Sequence, residues 1–319
     1  MKELSNKIVS VIIVTCAIED YLKSCLDSLK GQTHPFLEII LIDNSLNPNF
    51  SQTISKAWPE VRLYSSPKNL FYCQALNRGI EISKGDFILC LNDDVTLDKD
   101  FIKEALKGFM IEERIGLVSG KILRPDQQTI DSTGLFISPW RTVKERGYGS
   151  KDRGEFEKEE YIFGVNGAVA FYCKKMLEGI KENHDYFDSD FHIFYEDLDI
   201  AWRAKNRGWK GYYIPKAVAY HTRGGTVRQG RGINKKYGRR YLKDELHLDL
   251  IKNRYLAIIK NESLKGLFLY LPFIFLYDLW MWSYILLFRP QLIKKFILAL
   301  GYLNSALRKR VVPCVLQHP

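Results

Sequence analysis

Short β-branched runs alternating with amphipathic stretches most restrict what this chain can fold into. Val9–Thr15 reads VSVIIVT. A run that is apolar at nearly every position, not every second one, belongs to a strand covered on both faces. Leu22, Cys25, Leu26 and Leu29 then fall at i, i+3, i+4 and i+7, which predicts an amphipathic helix ending near Gly31. The pattern repeats. Leu37–Ile42 (LEIILI) predicts a second buried strand ending at Asp43-Asn44, and Val61–Tyr64 a short third. Gln74–Ile82 predicts a helix, and Phe87–Leu91 (FILCL) a fourth strand ending in Asn92-Asp93-Asp94. Residues 98–110 predict another helix and Ile115–Leu123 another strand. Repeated strand–helix units predict an α/β fold with a doubly wound, mostly parallel sheet flanked by helices. Ligands in such sheets bind beyond the carboxyl ends of the strands. Thr15, Asp43 and the 92–94 cluster occupy those ends.

Further along, residues 124–160 are polar and rich in mixed charge, which predicts a long surface excursion. Phe163–Tyr172 (FGVNGAVAFY) returns to a buried pattern. Glu196–Arg207 predicts a helix closed by Gly208, and Trp209–Ile214 and Val218–His221 predict short strands flanking Pro215. Composition then changes. Residues 223–243 hold eight Lys or Arg and no acid, and residues 244–260 read as an amphipathic helix. Gly266–Phe288 is a 23-residue apolar stretch broken by Pro272 and Asp278. A second apolar run, Phe296–Leu303, follows, and residues 289–310 carry six Lys or Arg and no acid. Of the net charge of +10, the two basic segments hold +14, which leaves −4 for the rest. The positive charge is thus confined to one loop and to the flanks of an apolar tail. That distribution argues against nucleic acid and for an anionic ligand plus an anionic membrane face. Three regions are expected: 1–222 catalytic, 223–262 a basic loop with an amphipathic helix, and 263–319 a helical hydrophobic appendage. Length alone lets 266–288 cross a bilayer. Its proline, acid and aromatics also suit an interfacial helix, and a packed helical hairpin in a soluble dimer is the third reading.

The six cysteines form no C-x-x-C pair, which predicts buried thiols in a reducing compartment. The first apolar run leads into Glu19 and Asp20 instead of a small-residue cleavage site, so the amino-terminal part is expected in the cytosol. Residues 16–20 read Cys-Ala-Ile-Glu-Asp where a dinucleotide fold needs G-x-G-x-x-G, and no P-loop motif occurs. Two readings of Asn92-Asp93-Asp94 stay open: oxygen ligands for a hard divalent cation, or a turn capping the next helix. Glu196-Asp197-x-Asp199 offers either ordinary partners of a helix dipole or a general base at a site mouth. His221, ending a strand, is either structural or a metal ligand.

Taken in order, VSVIIVT, EIILIDNS, PKNLFYCQALNRGIEISKGDFILCLNDDV and EDLDIAWRAKNRGW with a following His resemble glycosyltransferase family 2. The resemblance covers about residues 8–222. The segment RGYGSKDRGEFEKEEYIFGVNGAVAFYCKK further resembles the rhamnosyltransferase-like branch, whose members build bacterial surface polysaccharides. The resemblance implies a GT-A fold and inversion at the sugar. It implies that Thr15, Asp43, Asn77, Arg78 and Asp93 contact the nucleotide donor. Asn92-Asp93-Asp94 matches the D-x-D metal motif with Asn in place of the first acid, so Asp94 would be the main ligand, with His221 and Asn92 beside it. The cofactor would be Mg²⁺ or Mn²⁺. Asp197 matches the catalytic base, with Glu196 and Asp199 orienting it or the acceptor. Arg223 and Arg228 would close over the phosphates.

The implied reaction moves a sugar from a nucleoside-diphosphate donor, dTDP-rhamnose or a UDP-hexose. The acceptor would be a hydroxyl of a surface-polysaccharide or polyprenyl-diphosphate-linked glycan. The expected location is the cytoplasmic face of the inner membrane, with no nucleic-acid partner and scope for a homo-oligomer. Two rivals are a basic lipid- or nucleic-acid-binding module and a metal-dependent nucleotidyltransferase. The first predicts no acids at strand ends. The second predicts a glycine-rich phosphate loop near the first strand.

Overall fold

The computed structural model describes residues 6–17, 20–222 and 242–310. Arg223, Arg228 and most of the basic loop lie outside the described residues. The chain runs β1 (Val9–Thr15), α1 (Asp20–Lys30), β2 (Leu37–Asp43), α2 (Phe50–Ala57), β3 (Arg62–Ser65) and α3 (Phe71–Ile82). It continues through β4 (Phe87–Asn92), β5 (Val95–Leu97), α4 (Phe101–Gly108) and β6 (Ile115–Leu123). Then come β7 (Ile130–Ser132), β8 (Leu135–Ile137), β9 (Val143–Glu145), β10 (Glu160–Ile162), β11 (Val169–Cys173) and α5 (Lys174–Ile180). A short 3₁₀ turn, Ser189–Phe191, precedes α6 (Glu196–Asn206) and β12 (Lys210–His221). The last helices are α7 (Asp244–Asn261), α8 (Leu264–Phe288), α9 (Gln291–Leu298) and α10 (Gly301–Arg308).

The main sheet runs β10-β12-β6-β11-β4-β1-β2-β3. β1 is parallel to both β2 and β4, β2 to β3, and β12 to β6, while β11 runs antiparallel between β4 and β6. From β1 the chain winds one way to β2 and β3, then returns to lay β4 on the other side of β1. Doubly wound sheets place their ligand crevice at such a reversal, here at the carboxyl ends of β1 and β4. Both faces are buried, as the unbroken apolar runs predict. Val9, Val11 and Ile13 pack toward α1, α2 and α4, whereas Ile12 packs toward α3, α5 and α6. α7 and α10 add Leu256, Ala257 and Ala306 to this second core.

Three expectations need correction. The two strands flanking Pro215 are one strand, β12, whose register against β6 slips between Ile214 and Val218. Proline has no N–H for a ladder, and a bulge accommodates it there. Gly120 makes room for the bulge, because a Cβ on it would lie 2.1 Å from the Ala217 carbonyl oxygen. Gly120→Ala is expected to cost about 1–3 kcal/mol through overpacking against backbone, read as a lowered denaturation midpoint with an unchanged slope. Residues 124–160 are not merely a surface excursion. β7 pairs with β6, and Ile130, Asp131, Ser132 and Thr133 are fully buried. Finally, Pro272 and Asp278 do not break the apolar stretch. α8 continues through both, and Arg254 of α7 reaches Asp278 at 2.5 Å. Among the described residues α8 is the one helix long and apolar enough to cross a membrane.

Candidate active site

Thr15 and Asp43 end neighbouring strands in register. The Asn44 N–H donates to the Thr15 carbonyl at 2.8 Å, which locks the two strand ends together. Asp43 is buried and accepts from the Ser45 N–H at 2.8 Å and from the Ser65 hydroxyl at 3.0 Å. A carboxylate has about four acceptor positions, so capacity remains for a ligand hydroxyl or imide. Across the crevice, the Thr15 hydroxyl donates to Asp93 at 2.6 Å. The end of β1 is thereby tied to the turn after β4.

Asp94 sits one residue further along that turn. His221, at the end of β12, places Nε2 3.3 Å from Asp94 and Nδ1 2.9 Å from Asp131. Burial pushes the imidazole down, but the Asp94 charge and the hydrogen bond that Nδ1–H donates to Asp131 outweigh it and raise His221 to about 9. Burial pushes Asp94 up, and His221 more than reverses this, holding the carboxyl below its ordinary value. Nothing in the local sequence around Asp131 marks it as part of this chain. It arrives because β7 pairs with the edge of β6.

The donor set suits a hard divalent cation in one specific way. A carboxylate on Nδ1 fixes the tautomer and aims Nε2, the arrangement that orients metal-binding histidines. Asp94 and His221, once its imidazole gives up the Nε2 proton, would supply two ligands. No group of three or more His, Cys, Asp or Glu side chains converges on one point among the described residues. The remaining ligands would be water and phosphate oxygens, as is common for cations that bind with a nucleotide. Asn92, expected as a third ligand, is engaged elsewhere. Its amide oxygen accepts from the Tyr72 hydroxyl at 2.9 Å.

That tyrosine joins the two acidic motifs. The Tyr72 hydroxyl also lies 3.3 Å from the Gly167 carbonyl oxygen, and the Gly167 N–H donates to Asp197 at 3.1 Å. Asp197 starts α6 together with Glu196, and its other oxygen accepts from the Leu198 N–H at 2.7 Å. A Cβ on Gly167 would lie 3.3 Å from Glu196 and 3.4 Å from Asp197, so glycine permits this close approach. Glu196 is buried, and one carboxyl oxygen has no hydrogen-bond partner. Burial first, and the Asp197 charge second, push its pKa up to about 8. Glu196 therefore keeps its proton well above the ordinary carboxylate range, the kind of divergence that lets two neighbouring acids take different tasks.

Linkage gives this a sign. The unfolded chain ionises Glu196 near its ordinary 4.5, the folded chain near 8. The contribution to stability is present below the lower value and is lost as pH rises through the higher one. Glu196→Gln is expected to remove this fall, so the variant gains on the native chain between about pH 4.5 and 8. Urea denaturation at both ends of that window reads it.

The remaining expected site residues are placed otherwise. Asn77 clamps the loop before α6. Its Nδ2 donates to the Phe187 carbonyl at 2.7 Å, and its oxygen accepts from the N–H groups of Tyr186 and Phe187. Arg78 pairs with Glu81 at 2.6 Å and lies over the Tyr64 ring, one residue from Ser65. Asp199 does not orient the base. It is fully buried against Arg203, Lys260 and Asn261, in an ion network with Asp188.

This sheet, its switch-point crevice and its paired acid motifs define a GT-A-type glycosyltransferase fold. Residues 10–181 match the signature of Glycosyl transferase family 2, just over half of the chain. The chain belongs to that family. It is 26% identical over 244 residues to the amylovoran biosynthesis glycosyltransferase AmsB of Erwinia amylovora, covering 73% of this chain and 75% of that one. It is 24% identical over 242 residues to the N-acetylglucosaminyl-diphospho-decaprenol L-rhamnosyltransferase of Mycobacterium tuberculosis, covering 67% and 76%. Among solved structures, the mannosyltransferase PcManGT of Pyrobaculum calidifontis, in complex with GDP-Man and Mn²⁺, superposes with a TM-score of 0.55. The two are 16% identical, and the match covers 94% of this chain and 76% of that one.

Proposed function

We propose that the protein is an inverting glycosyltransferase that moves a sugar from a nucleoside-diphosphate donor to a hydroxyl of a lipid-linked glycan. The observation that carries this reading is the chain Asn92–Tyr72–Gly167–Asp197, which draws the 92–94 turn and the acid pair around one crevice. Asp43 and Thr15 receive the nucleoside. Asp197 takes a proton from the acceptor hydroxyl as its oxygen attacks the anomeric carbon, on the face opposite the nucleotide. Two backbone N–H donors suit Asp197 as an anion. Protonated Glu196 beside it avoids a second negative charge. Asp94 and His221 would hold Mg²⁺ or Mn²⁺, which offsets the charge that develops on the leaving diphosphate.

dTDP-rhamnose is the first donor to test and a UDP-hexose the second. Similarity to the N-acetylglucosaminyl-diphospho-decaprenol L-rhamnosyltransferase supports a polyprenyl-diphosphate-linked acceptor. The apolar surface of α8 supports a membrane seat. Phe268 and Leu287 are 85% and 72% exposed, and α9 continues the surface with Ile297 and Leu298. Asp278, which would be costly in lipid alone, faces Arg254. We place the seat on the cytoplasmic leaflet, whose anionic lipids the Lys and Arg of residues 289–310 would meet. Residues 1–222 then form the catalytic unit, 223–262 the connection and 263–319 the membrane-facing part.

The test is release of free nucleoside diphosphate from a panel of donors with Mg²⁺ or Mn²⁺ and a prenyl-diphosphate-linked acceptor. Acceptor-dependent release from one donor is expected. Incorporation of the nucleotide moiety itself would mean a nucleotidyltransferase instead. For the seat, Phe268→Glu with Leu287→Glu should abolish flotation with anionic vesicles.

A further inference from the structure

The segment that delivers the acid pair is held in an unfavourable backbone shape. His192, Phe194 and Tyr195 have φ of 60°, 71° and 67°, so three of the four residues before Glu196 hold positive φ without being glycine. Tyr195 is also where α6 begins, since its carbonyl accepts from the Asp199 N–H at 2.8 Å. Such conformations persist only where the surroundings over-determine them. Here the surroundings are one face of α7. The Asn253 amide nitrogen lies 2.7 Å from the Phe191 carbonyl and 2.8 Å from those of Ile193 and Phe194. Lys252 donates to the Asp190 carbonyl at 2.7 Å, and Asp249 lies 3.3 Å from His192. Residues 249, 252 and 253 fall at i, i+3 and i+4 and so share a helix face.

Asn253 is an odd occupant of its position. Asparagine is a weak helix former, yet it sits inside an 18-residue helix with 0% exposure. Its own carbonyl oxygen has no partner. An unpaired buried oxygen is costly, so what the position uses is the N–H₂ group and its grip on the three carbonyls. From the other side, the Cys73 N–H donates to the His192 carbonyl at 3.1 Å, and the Phe71 ring stacks on His192 at 4.8 Å.

We propose that Asn253 is a positioning residue for the catalytic acid pair. By holding the carbonyls of 191, 193 and 194 together, it keeps the left-handed turn in place. α6 then starts at Tyr195, with Asp197 against Gly167. Without the clamp the turn relaxes toward ordinary φ, the first helical turn shifts, and Asp197 leaves the crevice. Thr15 and Asp43, at the ends of β1 and β2, make none of these contacts. This inference rests on the glycosyltransferase reading above.

The test compares the full-length native chain with Asn253→Asp, which keeps the shape and loses the donors, and with Asn253→Ser, which keeps one donor. For Asn253→Asp, kcat should fall at least tenfold while calorimetric affinity for the nucleoside diphosphate stays within twofold. Asn253→Ser should lie between, and it carries the test if the aspartate variant does not fold. Amide exchange should quicken at residues 192–197 and not in β1 or β4. Adding Phe194→Gly to Asn253→Ser should restore part of kcat, because glycine accepts the left-handed turn without a clamp. An unchanged kcat, an equal loss of nucleotide affinity, or exchange that quickens evenly across the sheet would overturn the proposal. If the native chain transfers no sugar from any donor, the glycosyltransferase reading fails, and the exchange pattern still decides whether the clamp exists.

Discussion

Asp197→Asn should lower sugar transfer by roughly 10²–10⁴-fold, the span that a positioned general base contributes, while binding of the nucleotide donor holds within about twofold. The substitution keeps the size of the side chain and removes its basicity. Both Asp197 oxygens accept a backbone N–H, one from Gly167 and one from Leu198. An amide therefore turns an N–H₂ toward one of those donors, and a stability loss of about 1 kcal/mol is expected as well. Donor binding is spared because Thr15 and Asp43 end β1 and β2 and the 92–94 turn closes β4, all outside α6. Single-turnover transfer measured beside calorimetric donor affinity separates the two effects. Collapse of donor affinity with intact turnover of bound donor would remove Asp197 from the role of base.

Asp94→Ala carries the second large effect. It removes the carboxylate nearest His221 Nε2 and leaves the imidazole held by Asp131 alone. Cation-dependent nucleotide affinity is expected to drop by more than about 100-fold, beyond the 10–100-fold usual for the partner behind a ligand. Asp131→Asn supplies that milder case, because an amide holds the imidazole less strongly and still fills the space. A graded series, with Asp94→Ala worse than Asp131→Asn, should appear in Mn²⁺ titrations followed by paramagnetic resonance with and without nucleoside diphosphate. Nucleotide affinity that ignores both the cation and Asp94 would take the metal away from this turn. Asn92→Asp, by contrast, is expected to add little cation affinity, since the Tyr72 hydroxyl already occupies this side chain.

Much of the fold can be read along the chain because strand and helix periods are local. Val9–Thr15, Leu22 to Leu29 and Phe87–Leu91 each declare their element within about seven residues, and the structure keeps all three. The order of those elements then restricts the sheet, since parallel neighbours need crossovers and the crossovers here are helices. Candidate site residues at strand ends follow from the same logic: Thr15, Asp43, Asp93 and Asp94 lie where a doubly wound sheet places its ligands. The local signal misleads where it meets a tertiary constraint. Pro215 looks like a strand terminator, yet the glycine at 120 lets β12 bulge past it. Residues 129–133 look like surface, yet pairing with β6 buries them.

Local pattern along the chain specifies the alternation, the buried sheet, the confinement of positive charge and the identity of the acids. Each depends on composition or on spacing within a few residues. Tertiary structure alone decided which of those polar groups meet. Asp131 and His221 are 90 residues apart, Tyr72 and Gly167 are 95, and Asn253 and Phe191 are 62. It also separated Asp197, at the crevice, from Asp199, two residues on and buried among cations. A helix turns about 100° per residue, so two steps carry a side chain to the opposite face. The partner waiting there is set by the packing of α7, which no local pattern encodes.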